Sequence, residues 1–518
     1  MKKRTLFCLL VILAAAALAP AQEKKEVALT LEESIIKALR NNLNLAVEVY
    51  SPRIAEASLS RAREIFLPQF NVNYGRNRTE QPSTWWLQGS ETLTSTLNDY
   101  TVGLTEQVPW GGNLSVSLAG YKSTNNQRFQ LINPIYSTTL RFNFSQPLLR
   151  GFGYDISRQQ ILVARNNLAA SESQLQAALV DTVYLVEEAY WNYVYAIENL
   201  KVKEQSLALG RDLLAKTRKE VEFGAQAPIE VLNAEATVAQ READILVADA
   251  LVKKSEETLR AVINLGAEAD MMGSWVVPSD KPVFRPQTVT LEEALNAAQA
   301  RRPDLRIAQT TIETRQLNFR VARNQLLPQV DLNLSYWSPG ISGDRLIIAG
   351  DDIFNPVIIG TEKGSASESL KDAMKFGYSN WDIGLTVTVP LGDVLSRANY
   401  AQARLELDQS LAALKIKEQQ VFLDVSDAVR SVETDAKKVE AFRVARELAA
   451  RRLEAEMKKL GVGLTTNYFV LQYQEQLAAA RSNEIRALVD YNLSLARLEK
   501  VTGKTLESRH IEIAGEGN

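Results

Sequence analysis

The 518-residue chain has a single cysteine, Cys8, and a single histidine, His510. A lone thiol makes no internal disulfide. A lone imidazole with no Cys or carboxylate cluster beside it makes no zinc site. The histidine lies in a polar C-terminal stretch, so no Ser-His-Asp set can form in the body of the chain. No glycine-rich phosphate loop is present either. We therefore expect no enzyme, no cofactor and no metal. The formal net charge is −3, which offers no electrostatic attraction to nucleic acid.

Long hydrophobic runs are equally scarce. Lys2, Lys3 and Arg4 precede the apolar run Leu6–Leu18, and Ala19-Pro20-Ala21 fits a small-x-small cleavage site. Residues 1–21 read as a secretory signal, with the mature chain starting at Gln22. Cys8 sits inside that apolar run, with no small-residue pair before it of the kind lipidation needs, so it is an ordinary signal residue. Beyond it no uninterrupted run of about 18 apolar residues occurs, which excludes a membrane-spanning helix. If the chain spans a membrane, it must do so with β-strands.

Proline and glycine are missing where a helix would need them missing. Asp155–Glu222 has no proline, and no glycine before Gly210; Ser396–Leu460 has neither residue. Both stretches are rich in strong helix formers, and roughly 65 residues make a rod of about 100 Å. Apolar residues recur at heptad-like spacing, as in Leu179, Val183, Val186, Tyr190 and Tyr193. Each rod ends at a glycine turn, Phe223-Gly224-Ala225-Gln226 or Gly461-Val462-Gly463-Leu464. A return helix follows, Ile229–Leu265 or Asn467–Val501. A coiled-coil scaffold would show the same pattern.

The chain is a tandem duplication. Thr30-Leu31-Glu32-Glu33 recurs as Thr290-Leu291-Glu292-Glu293, and the offset of 260 holds through Leu67-Pro68-Gln69 and Leu327-Pro328-Gln329. A second block repeats at an offset of 239, from Ser157-Arg158/Ser396-Arg397 to Leu259/Leu498. The first half thus carries about twenty extra residues between its blocks. The boundaries predicted are a first repeat at 22–266 (helices 30–67, strand region 69–147, helical hairpin 155–265), a linker at 267–288, a second repeat at 289–503 (helices 290–327, strand region 329–390, hairpin 394–502) and a polar tail at 504–518.

Six segments alternate with period two: Phe70–Tyr74, Val102–Leu104, Leu114–Leu118, Leu140–Phe144, Val330–Tyr336 and Trp381–Val387. One face is apolar; the other carries Asn, Ser, Thr, Asp and Arg. A lipid-out, water-in barrel wall has this pattern, and so has a soluble half-buried sheet. The stretches Gln81–Asn98 and Pro339–Ser379 read as long polar loops, and Trp110, Trp337, Tyr378 and Trp381 stand at strand ends where an aromatic girdle belongs. Four to six strands do not close a membrane barrel, for which about eight is the minimum. Transmembrane strands here would require several chains to share one barrel.

With the duplication, Leu-Pro-Gln before each strand region, Gln146-Pro147-Leu148-Leu149 and Val389-Pro390-Leu391-Gly392 leading into each long helix, and the turn-plus-helix stretches from Phe223 and Val462, the chain resembles the TolC-type outer-membrane efflux family over about 29–503. The resemblance implies a mainly α fold with transmembrane β: long antiparallel hairpins forming an α-barrel through the periplasm, and strands given to one shared trimeric β-barrel in outer-membrane lipid. It implies a passive exit duct of a tripartite efflux or type I secretion system, a homotrimer docked through a periplasmic adaptor to an inner-membrane pump. The alternative is a non-pore periplasmic scaffold or adaptor.

Val462, Gly463, Leu464 and Thr465 resemble the family's adaptor-docking tip, and Phe223 and Gly224 form the weaker counterpart. Glu230, Asn233, Phe469 and Gln472 occupy the stations of a periplasmic gate, without the paired aspartates that relatives often carry. Glu230 is equally readable as a solvated surface residue. Pro68, Pro328, Pro147 and Pro390 mark helix-to-strand boundaries. An extra hairpin near 99–121 leaves two barrel sizes open, 12 strands without it in the wall and 18 with it.

Overall fold

The computed structural model describes residues 26–84, 88–128, 130–224, 226–265, 275–349 and 357–511. The signal reading, Ala225 and part of the linker lie outside these residues. The chain opens with β1 (Glu26–Leu29), α1 (Leu31–Asn41), α2 (Leu43–Glu48) and α3 (Tyr50–Arg63). Strands β2 (Gln69–Pro82), β3 (Thr92–Gln107), β4 (Asn113–Asn125) and β5 (Ile132–Pro147) follow. Then come α4 (Tyr154–Ser157), α5 (Gln159–Glu222), α6 (Pro228–Ile263) and β6 (Trp275–Pro278). The second half has α7 (Leu291–Arg301), α8 (Pro303–Asn324), β7 (Gln329–Ala349), β8 (Val357–Glu362), α9 (Ala366–Met374), β9 (Asn380–Thr388), α10 (Val394–Gly461), α11 (Asn467–Thr502) and α12 (Thr505–Ser508).

Two compact units form. The first comprises 1–52, 172–307 and 415–518. Its core gathers Val183, Val186, Tyr190 and Tyr193 of α5 with Val252, Leu259 and Ile263 of α6, Val489 of α11 and Ile35 and Ala38 of α1. Four of the five heptad-spaced residues are thus buried, and Leu179 is half-buried. Within the expected linker, β6 pairs in parallel with β1, Val27 opposite Val276. Tyr193 donates its hydroxyl to the Val276 carbonyl at 2.5 Å, and Tyr190 donates to the Leu29 carbonyl at 3.1 Å. The segment is therefore a strand docked on the long helix, in addition to whatever it links. The expected polar tail likewise contains α12, whose Thr505 and Leu506 are buried.

Thr30 caps α1 by accepting from the Glu33 amide at 3.1 Å, and the Glu33 carboxylate accepts from the Thr30 amide at 2.9 Å. Thr290 accepts from the Glu293 amide at 3.3 Å at the start of α7. The duplicated Thr-Leu-Glu-Glu is a duplicated helix start.

The second unit comprises 53–171 and 308–414. Its sheet runs β2-β3-β4-β5-β7, with β9 and β8 both on the far edge of β7. Every neighbouring pair is antiparallel. The six alternating segments all lie in it. The extra hairpin is part of the same sheet, with β3 pairing β2 from Gln69↔Thr105 to Pro82↔Thr92. Both long loops are shorter than expected. β2 runs to Pro82 and β3 starts at Thr92; Pro339–Ser379 contains the rest of β7, then β8 and α9. The opening of α9 reads Ser365–Glu368, a reciprocal capping box.

Register settles which residues share a face. Phe70, Leu104, Val116 and Phe142 lie in adjacent paired positions, as do Leu114, Phe144, Leu334 and Ile383. Asn143, Ser335 and Asp382 fall on the opposite face. Trp337 alternates onto this polar face, where the Arg141 guanidinium lies 4.8 Å from its ring centroid. The girdle expectation therefore fails for Trp337: parity within the strand, not position near its end, decides its side. Trp381 pairs with Tyr336 and shares the apolar face.

Candidate functional site: tip, tie and wall

The α5/α6 and α10/α11 hairpins turn at two glycines in the left-handed region, Gly224 (φ 70°) and Gly463 (φ 73°). At the second turn the Gly463 amide donates to Leu460 O at 3.1 Å and the Leu464 amide to Lys459 O at 3.0 Å. Thr465 donates its hydroxyl to Glu456 Oε1 at 2.6 Å, and Lys459 lies 3.2 Å from Glu456 Oε2. The turn is locked from within, so its apolar residues are free to face outward. Val462, Leu464 and Phe223 are 70%, 76% and 86% exposed.

The fold brings the two turns together. Asn467, fully buried at the start of α11, donates to Thr217 Oγ1 of α5 at 2.9 Å and to Gln226 Oε1 beside the first turn at 3.2 Å. The gate stations sit one or two turns further along each return helix. Phe469 and Gln472 are exposed; Glu230 and Asn233 are half-buried. Glu230 lies in the first turn of α6, where the helix dipole favours a carboxylate.

One residue escaped the sequence reading. Arg241 of α6 is buried between three helices: Nη1 donates to Ser206 O of α5 at 2.6 Å and to Gln474 Oε1 of α11 at 3.0 Å, and Nη2 donates to Leu471 O at 3.2 Å. Burial pushes its pKa down from the ordinary arginine value. Gly210, the glycine interrupting α5, makes room, since a Cβ there would lie 2.7 Å from Nη1. That isolated glycine was the available signal.

The wall residues complete the picture. Pro68 immediately precedes β2, Pro328 immediately precedes β7, Pro147 ends β5 and Pro390 stands two residues past β9. All four mark the same end of the sheet, where Gln69↔Thr105, Pro147↔Asp331 and Gln329↔Thr388 are paired. Trp110 sits at that end too, in the β3–β4 turn. Among the described residues no helix is long and apolar enough to cross a membrane.

The family model described as "Outer membrane efflux protein" matches residues 35–265 and 294–504. The chain belongs to this family. Among curated relatives, the outer membrane efflux protein BepC of Brucella suis biovar 1 is 21% identical over 94% of this chain and 88% of its own. The outer membrane protein TolC of Vibrio cholerae is 24% identical over 76% and 83%. Among solved structures, the CmeC outer membrane channel of Campylobacter jejuni superposes with a TM-score of 0.62 at 16% identity, covering 92% of this chain and 86% of that one. The open state of the MtrE outer membrane channel of Neisseria gonorrhoeae gives 0.60 at 21%, covering 92% and 89%. This efflux protein therefore has the TolC-like channel fold and resides in the outer membrane, extending into the periplasm. Its family is one of channels and transport proteins, not an enzyme class.

Proposed function

We propose that three copies of this protein close one outer-membrane barrel of 18 strands, forming the passive exit duct of a tripartite exporter. The observation that carries this is the six-strand wall β2-β3-β4-β5-β7-β9, whose outer edges on β2 and β9 pair with no further strand among the described residues. Unpaired backbone groups are not tolerated in hydrocarbon, so each edge needs a strand from another copy. The trimer itself comes from the family likeness. At a strand spacing of about 4.8 Å and a tilt of about 40°, 18 strands make a barrel about 36 Å across, against about 24 Å for 12. The exposed apolar strip Phe70, Val72 and Tyr74 faces lipid, and Asn143, Ser335 and Asp382 face the water-filled lumen.

The two repeats, 22–266 and 289–503 on either side of the 267–288 segment, supply the paired hairpins of the periplasmic tunnel. Val462, Gly463, Leu464 and Thr465, with Phe223 and Gly224, dock a periplasmic adaptor, and the inner-membrane pump reached through it supplies the energy. Glu230, Asn233, Phe469 and Gln472 lie at the periplasmic entrance, and Pro68, Pro328, Pro147 and Pro390 at the membrane boundary. Purified trimers in a planar bilayer should conduct ions; protein that inserts and never conducts refutes the duct. Leu464→Asp, a change at an exposed side chain, should reduce export at least tenfold and leave trimer and conductance intact. Normal export in that variant would remove the tip from the docking surface.

A further inference from the structure

We propose that α9 is an interfacial helix that rides on the lipid-facing side of the barrel wall, at the boundary between hydrocarbon and outer-leaflet headgroups. The inference rests on the outer-membrane barrel reading and adds a surface that binds lipid from outside the strands.

The seat for α9 is built from small residues at one level of the apolar face. Gly340 of β7 pairs with Thr138 of β5, which pairs with Gly120 of β4, which pairs with Tyr100 of β3. A Cβ at Gly340 would strike the Ser369 carbonyl oxygen and come within 2.6 Å of the Ala373 amide nitrogen. Ser369 and Thr138 hydroxyls lie 2.8 Å apart, both fully buried, and Ser338 is fully buried beside them. Gly340, Ser338 and Thr138 alternate in phase with Leu334, Tyr336 and Phe142, so the helix covers the face that points at lipid, not the lumen.

Depth follows from the strand. Gly340 is eleven residues beyond Gln329, where β7 begins at the helix-side end. Eleven residues rise about 36 Å, or about 28 Å along the normal at a 40° tilt, against an apolar band about 25 Å tall. The helix therefore lies at the outer rim of the band.

Its chemistry fits that place. The inner side is small and polar, and is spent on the wall. Glu368 is consumed by the cap and by the Ser342 hydroxyl at 2.8 Å. Asp372 lies 3.8 Å from Lys375. The outward side carries Met374 (59% exposed), then Phe376 and Tyr378 (69% exposed). The Phe376 ring lies 6.0 Å from that of Tyr336, so this apolar surface is continuous with the lipid-facing strip. Lys371 and Lys375 are exposed beside it, and Lys122 lies over the Tyr136 ring at 5.4 Å on the neighbouring strands. Apolar and aromatic groups below with ammonium groups beside them is the composition of an interfacial anchor.

The test uses the full chain in a Cys8→Ser background, which carries no other cysteine. Bimane is attached singly at Met374→Cys, Lys371→Cys and Leu334→Cys, and trimers are reconstituted in phosphatidylcholine/phosphatidylglycerol vesicles. Met374 should be quenched most by headgroup and shallow acyl-chain nitroxides, with an iodide quenching constant at least ~3-fold below that of Lys371; Leu334 should respond to deep acyl nitroxides. Met374 quenched by iodide like Lys371, with lipid quenching confined to Leu334, places α9 in water and overturns the proposal. Leu334 escaping lipid quenching overturns the barrel reading itself. Gly340→Leu should lift α9 off its seat, abolishing nitroxide quenching at Met374 and preserving it at Leu334. Unchanged quenching at Met374 would show that the seat does not hold the helix.

Discussion

Adding one methyl group at Gly210 should weaken the contact between the two helical hairpins, against the usual direction of such a change. Alanine in place of glycine inside a helix normally stabilises by about 0.5–1 kcal/mol. Here the new Cβ would sit 2.7 Å from Arg241 Nη1, 3.4 Å from its Cδ and 3.5 Å from its Cζ. The guanidinium has little freedom to retreat, since it is held by Ser206 O, Gln474 Oε1 and Leu471 O. Losing one hydrogen bond from a charged donor in a buried site costs about 1.5–3 kcal/mol. The net for Gly210→Ala is therefore a destabilisation of about 1–2 kcal/mol. In an Arg241→Met background the obstruction is gone, and Gly210→Ala should instead stabilise by its propensity, about 0.5–1 kcal/mol. The assay is the half-life of the reconstituted protein against trypsin at a fixed elevated temperature. Half-lives should shorten by up to about 5- to 30-fold in the first background and lengthen in the second. Equal lengthening in both would refute the idea that Arg241 ties α5, α6 and α11 together through the space Gly210 leaves.

Two further outcomes are expected. Glu187, 1% exposed and 2.6 Å from Arg509, has its pKa pushed up to about 7 by burial, Arg509 opposing the shift. A raised carboxylate pKa means stability is full below the unfolded value and falls as pH rises to the folded one. The fall, spread over about pH 4.5–7, amounts to about 3 kcal/mol. The thermal unfolding midpoint of the reconstituted protein, followed by circular dichroism, should therefore be lower at pH 8 than at pH 5, and Glu187→Gln should narrow that gap; an unchanged gap refutes the assignment. In the cysteine-free background, Trp337→Cys should react with a membrane-impermeant maleimide added to the reconstituted protein, and Tyr336→Cys should not. Equal labelling would break the register that separates lumen from lipid.

Much of this architecture was legible because local signals and tertiary demand agree. Pro68 and Pro328 stop a helix wherever they occur, and the capping pairs Thr30/Glu33 and Thr290/Glu293 start one wherever they occur. Strands that must face lipid on one side and water on the other carry their period openly, as Val330–Tyr336 does. The β1/β6 pair was not legible, because four residues take up strand geometry only when a partner some 249 positions away is in place. The helix α9 was legible in principle, since Ser365 and Glu368 form a readable capping box inside a segment that polarity alone marked as loop. Trp337 stands just past the alternating run that ends at Tyr336, and only the continuation of β7 to Ala349 makes it a mid-strand residue whose parity with Ser335 sets its face. Arg241 left no mark beyond Gly210, because what buries a cation is the set of carbonyls that other helices bring to it.

The unpaired edges of β2 and β9 also bear on how the protein reaches its destination. A newly exported copy carries two strands hungry for partners, with an exposed row of Phe70, Val72 and Tyr74 along one of them. On the proposed trimer, an edge that has not yet met a sister copy is open to any other extended chain, and such pairing leads to aggregation. On that reading, assembly is a race between correct and promiscuous pairing, set by how many copies are at hand.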